Sequence, residues 1–332
     1  MDHEPPDERL SVNWLSRTAR VLFAAARPNM RRDYELVRRA QRQLATLPPL
    51  RYRVSDLHAT SEDGSREIPV RVFQPKEQRR EELLLHFHGG GWVTGDIESY
   101  TPACATMADL TGSVVASVDY RLAPEHPFPA GLEDCCRVTS LLLEDPQRAG
   151  IDDADKVVLV GDSAVGNLAA AVSLLLKERR HRGVSRQILL YPVTHWDHDP
   201  QSSPFASVRN HGNDFRLTNT EIQDYLDLYV PDPALRRDRL VSPLAANDLS
   251  GQPDTLVITA GLDLLRDEGE AYGRALADAG NTVRIHRVER ALHGFITLPR
   301  FSRSLREAYD VINAFLDDGT AGVDQLEGRG TR

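Results

Sequence analysis

Short apolar runs recur at about 83–88, 113–119, 157–161, 187–191, 255–260 and 282–288, and helical patterns fill the intervals between them. Brief runs rich in valine, isoleucine and leucine read as buried strands. Their alternation with helices predicts a mostly parallel sheet covered on both faces. Two earlier runs, near 51–60 and 68–75, flank Asp63-Gly64, a hairpin signal. The fold class is therefore α/β, with about eight strands expected. Residues 1–48 carry helical spacing and close at Pro48-Pro49. Residues 195–240 break the alternation with polar loops and a short helical stretch near Thr220–Tyr229. An insertion of this kind beside a site would form a lid. The tail from 318 is rich in glycine and reads as disordered. These breaks divide the chain into an N-terminal helical part (1–48), a first core part (49–194), a cap insertion (195–240), a second core part (241–317) and a tail (318–332).

The run from Lys156 to Gly161 leads straight into Asp162-Ser163-Ala164-Val165-Gly166, and an Ala/Leu-rich stretch follows to Lys177. Ser163 thus falls on a strand-to-helix turn. A Gly-x-Ser-x-Gly elbow at such a turn exposes the serine hydroxyl at the top of a sheet. The following helix N-terminus offers unpaired N–H groups to a developing negative charge. Val165 stands where that pattern takes glycine. On this run alone Ser163 reads as well as an ordinary helix N-cap.

Partners for the serine decide between the two. The apolar run 82–87 ends at His88-Gly89-Gly90-Gly91-Trp92. Consecutive glycines let a backbone approach a ligand closely and aim N–H groups at it, as an acyl-transfer oxyanion requires. Gly90, Gly91 and Ala164 are the expected donors, with Gly89 a weaker candidate. Downstream, the strand 255–260 ends at Gly261, and Asp263 follows at once. The strand 282–288 is followed by a loop carrying His293. The chain order serine, acid, histidine suits a nucleophile, an orienting carboxylate and a general base on this architecture. Asp267 and Glu268 are expected to open the next helix, where acids suit its dipole. His286 lies within a strand, and His195, His198 and His211 lie in a loop-rich region away from any strand end. Trp92, Phe215 and Ile296 are candidate pocket walls, with core packing the alternative for each.

These runs together resemble the hormone-sensitive-lipase-like branch of the α/β-hydrolases, the bacterial family IV carboxylesterases. The resemblance rests on HGGGW (88–92), DYRLAPEHPFPA (119–130), GDSAVGN (161–167), DLLRDEG (263–269) and HGF (293–295). It implies Ser163 as nucleophile, Asp263 as acid, His293 as base and an oxyanion hole from the glycine run with Ala164. It implies a small-molecule ester as substrate, no metal and no organic cofactor, and it leaves a homodimer open. Arg121 and Glu125 are expected as polar staples of a buried loop. Leu264 stands where the family usually has proline. Val165 raises the expectation that Val165→Gly relaxes the elbow and raises kcat. Two other readings use the same scaffold. One is a metabolite-specific deacetylase, lactonase or acyl-transfer enzyme with the same triad. The other is a non-catalytic small-molecule binding protein, which the complete set Ser163, Asp263 and His293 disfavours.

Composition narrows the partners. The 332-residue chain is 41% hydrophobic, enough for one large α/β domain. Its formal net charge of -9 argues against a general nucleic-acid binder. The basic stretch Arg17–Arg42 is expected to be the solvated face of amphipathic helices. No apolar run near the N-terminus is long enough for a signal segment or a membrane span, so stable membrane insertion is not expected and a cytoplasmic location follows by default. Cys104, Cys135 and Cys136 have no metal-ligand spacing and are expected as reduced, buried thiols.

Overall fold

The computed structural model describes residues 28–44, 53–179, 183–213 and 216–318. Among these are the strands β1 (Arg53–Thr60), β2 (Glu67–Gln74), β3 (Leu83–Phe87), β4 (Val114–Val118), β5 (Val157–Asp162), β6 (Arg186–Leu190), β7 (Asp254–Ala260) and β8 (Val283–Val288). They form one eight-stranded sheet in the order β1-β2-β4-β3-β5-β6-β7-β8. The β1–β2 hairpin is antiparallel, with Thr60 opposite Glu67, and β2 runs antiparallel to β4. Every other pairing is parallel. Each strand expected from the apolar runs is present.

The helices are α1 (Met30–Leu44), α2 (Ile97–Thr111), α3 (Ala130–Glu144), α4 (Ala164–Glu178), α5 (Ala206–His211), α6 (Asn219–Tyr229), α7 (Arg266–Asp278) and α8 (Arg303–Asp317). The inner strands are buried on both faces, and their side chains alternate between two cores. Leu83, Leu85 and Phe87 of β3 join Leu159 of β5 and residues of α3, α4 and α7. Leu84 of β3 joins Val158 and Val160 of β5 and residues of α2 and α8 on the opposite face. Removing one such leucine side chain would cost about 2–5 kcal/mol. Helix α4 is buried on nearly every side, which explains its run of alanine and leucine.

The chain passes from β3 to β4 on one side and then to β5 on the other. The β3–β5 boundary is therefore a topological switch point, where open α/β sheets form their crevice. The glycine run leaves β3 and the elbow leaves β5, so both open at this crevice.

Parts of the expected N-terminal segment (1–27 and 45–48), and the tail beyond 318, lie outside the described residues. At the described end of the basic N-terminal stretch, Arg38 departs from a solvated face. Arg32 and Arg39 do face water. Arg38, however, turns inward onto Val93 O, while Arg42 pairs with Asp96 but stays largely exposed. No described helix is long and apolar enough to cross a membrane.

Candidate active site

The elbow is built by close backbone approach. A Cβ on Gly161 would lie 2.0 Å from the Val165 carbonyl oxygen, and one on Gly166 would lie 2.7 Å from Pro192. Between them Ser163 adopts φ 62 and ψ −126, a sparsely populated conformation for a residue with a side chain. Such a backbone costs about 1–3 kcal/mol and persists only when its surroundings fix it. Here the Ser163 N–H donates to Leu190 O at 2.8 Å, and its carbonyl accepts from the Val193 N–H at 3.1 Å. The steric demand at 165 falls on the backbone carbonyl that faces Gly161. The Val165 side chain is fully buried in the core. Valine is therefore accommodated at this elbow.

With Val165 in place, Ser163 Oγ lies 2.8 Å from His293 Nε2. His293 Nδ1 lies 2.7 Å from Asp263 Oδ2. Asp263 is fully buried, and its other oxygen accepts from the Leu265 N–H at 3.1 Å. That bond fixes the carboxylate beside the imidazole. Leu264, where proline was expected from the family pattern, is buried in the core, and its carbonyl accepts from Ser207 Oγ at 2.6 Å. The Tyr191 ring meets the His293 ring edge-on, with centroids 4.9 Å apart.

The glycine loop reaches the elbow through one carboxylate. The Gly89 N–H donates to Asp162 Oδ1 at 2.9 Å, which occupies this weaker donor candidate. Asp162 Oδ2 accepts from Tyr100 Oη at 3.2 Å and from Tyr191 Oη at 3.3 Å. Burial, with Asp162 nearby, pushes both phenols well above their ordinary range, so both stay protonated donors. Because Gly89 is bonded to Asp162, the next residues of each segment, Gly90-Gly91 and Ser163-Ala164, are brought together at the crevice. No acceptor among the described residues takes the Gly90 or Gly91 N–H. Glycine is required here. Gly90 and Gly91 have φ 128 and φ 65, and a Cβ on Gly90 would lie 2.2 Å from Thr94 O.

The pocket candidates fare differently. Trp92 is 1% exposed and stacks on Tyr229 at 4.6 Å with rings nearly parallel. Ile296 is 2% exposed and belongs to the core beside α8. Both are packed in the core, and neither presents an open wall. Phe215 lies outside the described residues. Arg121 binds Asp134 and Ala130 O, and Glu125 binds Arg38, so both act as polar staples. Glu268 sits in the first turn of α7 but is fully buried. It accepts from the Thr194 N–H at 2.8 Å and meets His198 Nε2 at 2.9 Å. It therefore staples the loop after β6, a role that a helix-dipole reading misses. Asp162 was also missed. Its place beside Ser163 was the available signal, but its donors come from distant segments.

A family model described as the alpha/beta hydrolase fold matches residues 84–297. An arylesterase of Saccharolobus solfataricus is 34% identical over 252 residues, covering 76% of this chain and 79% of that protein. The carboxylesterase NlhH of Mycobacterium tuberculosis is 32% identical over 297 residues, covering 88% and 89%. Among solved structures, a hyperthermophilic esterase from the archaeon Pyrobaculum calidifontis matches with a TM-score of 0.80 at 32% identity, covering 91% of this chain and 96% of that one. A thermostable esterase from Pseudomonas putida ECU1011 matches with a TM-score of 0.81 at 27% identity, covering 95% and 98%. The fold, the motif order and these similarities agree: the chain belongs to the α/β hydrolases, in their hormone-sensitive-lipase-like branch.

Proposed function

We propose that this protein is a serine hydrolase of short-chain carboxylic esters, working through an acyl-enzyme on Ser163. The observation that carries the reading is the continuous relay from Ser163 Oγ through His293 to Asp263, at 2.8 and 2.7 Å. The esterase names of its relatives support the same class of substrate.

In this account His293 Nε2 takes the Ser163 proton as Oγ attacks the ester carbonyl carbon. The carbonyl π pair moves onto oxygen, and the N–H groups of Gly90, Gly91 and Ala164 hold the resulting oxyanion. Collapse of the adduct breaks the bond to the alkoxy oxygen, which His293 protonates as the alcohol leaves. Water, deprotonated by His293, then attacks the acyl carbon; collapse of this second adduct breaks the carbon–Oγ bond, His293 returns the proton to Ser163 Oγ, and the carboxylic acid leaves. Asp263 accepts from the imidazole Nδ1–H and stabilises the imidazolium as it forms. Three free, buried cysteines among the described residues support a reducing, cytoplasmic setting.

The relay supports hydrolysis over a binding role on the same scaffold, because a binder has no use for an activated hydroxyl. The direct test is turnover of p-nitrophenyl butyrate by the wild-type chain and by Ser163→Ala. The reading expects turnover in the first and its loss in the second. An inactive, well-folded wild type would overturn it.

A further inference from the structure

Helix α1 lies outside both the sheet and the serine relay. Yet residues at i, i+3 and i+4 on one of its faces hold the segment leaving the glycine run. Arg38 Nε donates to Val93 O at 2.7 Å, and Arg38 Nη2 donates to Ala123 O at 2.8 Å. The same guanidinium pairs with both oxygens of Glu125, at 2.8 and 3.0 Å. Gln41 Oε1 accepts from the Gly95 N–H at 3.1 Å. Arg42 pairs with Asp96, the N-cap of α2.

The other end of α1 grips the cap. Arg31 donates to Asp224 of α6 at 2.6 Å and also pairs with Asp227. In turn α6 presses on the glycine loop. A Cβ on Gly91 would lie 2.3 Å from the Tyr225 ring, and Tyr229 stacks on Trp92. Three consecutive residues of this loop, Gly90, Gly91 and Trp92, have positive φ. A backbone of that kind keeps its shape only where surrounding contacts over-determine it. Inside the loop, Gly90 O accepts from the Val93 and Thr94 N–H groups. Outside it, α1 and α6 supply the clamps described above, and the Arg38 guanidinium bridges two backbone carbonyls there with charge-assisted hydrogen bonds.

We propose that α1 is a positioning strap for the oxyanion loop, with Arg38 as its principal positioning residue. Docking of the N-terminal helix then sets the rate of the chemical step and does more than cover the site. This rests on the reading of Gly90 and Gly91 as oxyanion donors.

The test compares wild type, Arg38→Met, Arg38→Lys, Gln41→Leu and Arg39→Ala. Three quantities are measured for each: kcat and KM on p-nitrophenyl butyrate, affinity for a short alkyl trifluoromethyl ketone, and melting temperature. The ketone forms a tetrahedral adduct with the serine, so its affinity reports the oxyanion donors. Arg38→Met is expected to lower kcat about 10- to 100-fold with KM within about twofold, and to weaken the ketone by the same factor. Arg38→Lys recovers part of the loss. Arg39→Ala, whose side chain is 76% exposed, leaves all three unchanged. Wild-type kcat in a folded Arg38→Met would overturn the proposal, as would a loss confined to KM with ketone affinity intact. If Arg38→Met does not fold, Gln41→Leu carries the test. In that variant kcat and ketone affinity must fall together at a native melting temperature, and unchanged values would overturn the strap. Wild-type turnover is measured first, because its absence would strike the hydrolase reading itself and not the strap.

Discussion

Gly89 donates its N–H to Asp162 Oδ1 at 2.9 Å, joining the glycine loop to the Ser163 elbow at the β3–β5 crevice. Asp162 holds three donors at once, from Gly89, Tyr100 and Tyr191. In Asp162→Ala all three would be left without an acceptor in a buried site, at about 1–3 kcal/mol each. Urea denaturation of Asp162→Ala is therefore expected to show a loss of about 3 kcal/mol or more, with kcat also reduced. Asp162→Asn keeps an acceptor oxygen and should lose less of both. Equal stability in Asp162→Ala and wild type would contradict this account of the junction.

The valine at 165 yields a prediction opposite to the one its sequence position suggests. Ser163 already meets His293 at 2.8 Å, and the Val165 side chain is packed in the core, so no strain is left for glycine to relieve. Val165→Gly removes a buried side chain worth about 1.5–3 kcal/mol. It also places glycine in the first turn of α4. Its melting temperature should fall, while kcat stays within about twofold of wild type. A kcat raised well beyond that would restore the idea of an elbow compromised by valine.

Gly91 meets Tyr225 so closely that the two should be energetically coupled. A methyl group at 91 would lie 2.3 Å from the ring, on a backbone at φ 65. Gly91→Ala is expected to displace a donor and lower kcat by about 10²–10³. Adding Tyr225→Ala makes room and should return part of that loss, giving a positive interaction in the double-mutant cycle. Strict additivity in kcat would show that Tyr225 does not constrain the loop.

The ionic part of the clasp on α1 should be lost in acid. The hydrogen bond from Arg38 holds the Glu125 carboxyl below its ordinary range. Burial opposes the charge of Asp96, yet the Ser99 N–H and Arg42 together keep its carboxyl below the ordinary range as well. A carboxyl depressed in the folded state adds stability above its unfolded pKa, about 4.3 for glutamate, and loses it as pH falls through the lower folded value. Wild type should therefore melt above Glu125→Gln at pH 6, and the gap should close below about pH 4. A gap that persists unchanged into acid would contradict the ionic contribution.

Legibility in the sequence followed the range of the interactions. The strands were readable because burial on both faces leaves an uninterrupted apolar run, as in β3 and β5. Ser163, Asp263 and His293 were readable because each sits just past a strand end, in an order that the architecture imposes. Arg38 was not, since its acceptor Val93 O is 55 positions away and an arginine on an amphipathic helix reads as solvated. Glu268 was placed on the right turn but given the wrong surroundings, because only the packed loop at Thr194–His198 reveals that it is buried. Trp92 and Ile296 were ambiguous because pocket walls and cores draw on the same apolar residues.

The most direct measurement is intact-protein and peptide mass spectrometry of the chain, acid-quenched within seconds of mixing with excess p-nitrophenyl butyrate. The account predicts a single added butyryl group (about 70 Da) located on the peptide carrying Ser163, formed in wild type and absent in Ser163→Ala. Full turnover retained by Ser163→Ala, or an adduct on another residue that persists in that variant, would contradict it.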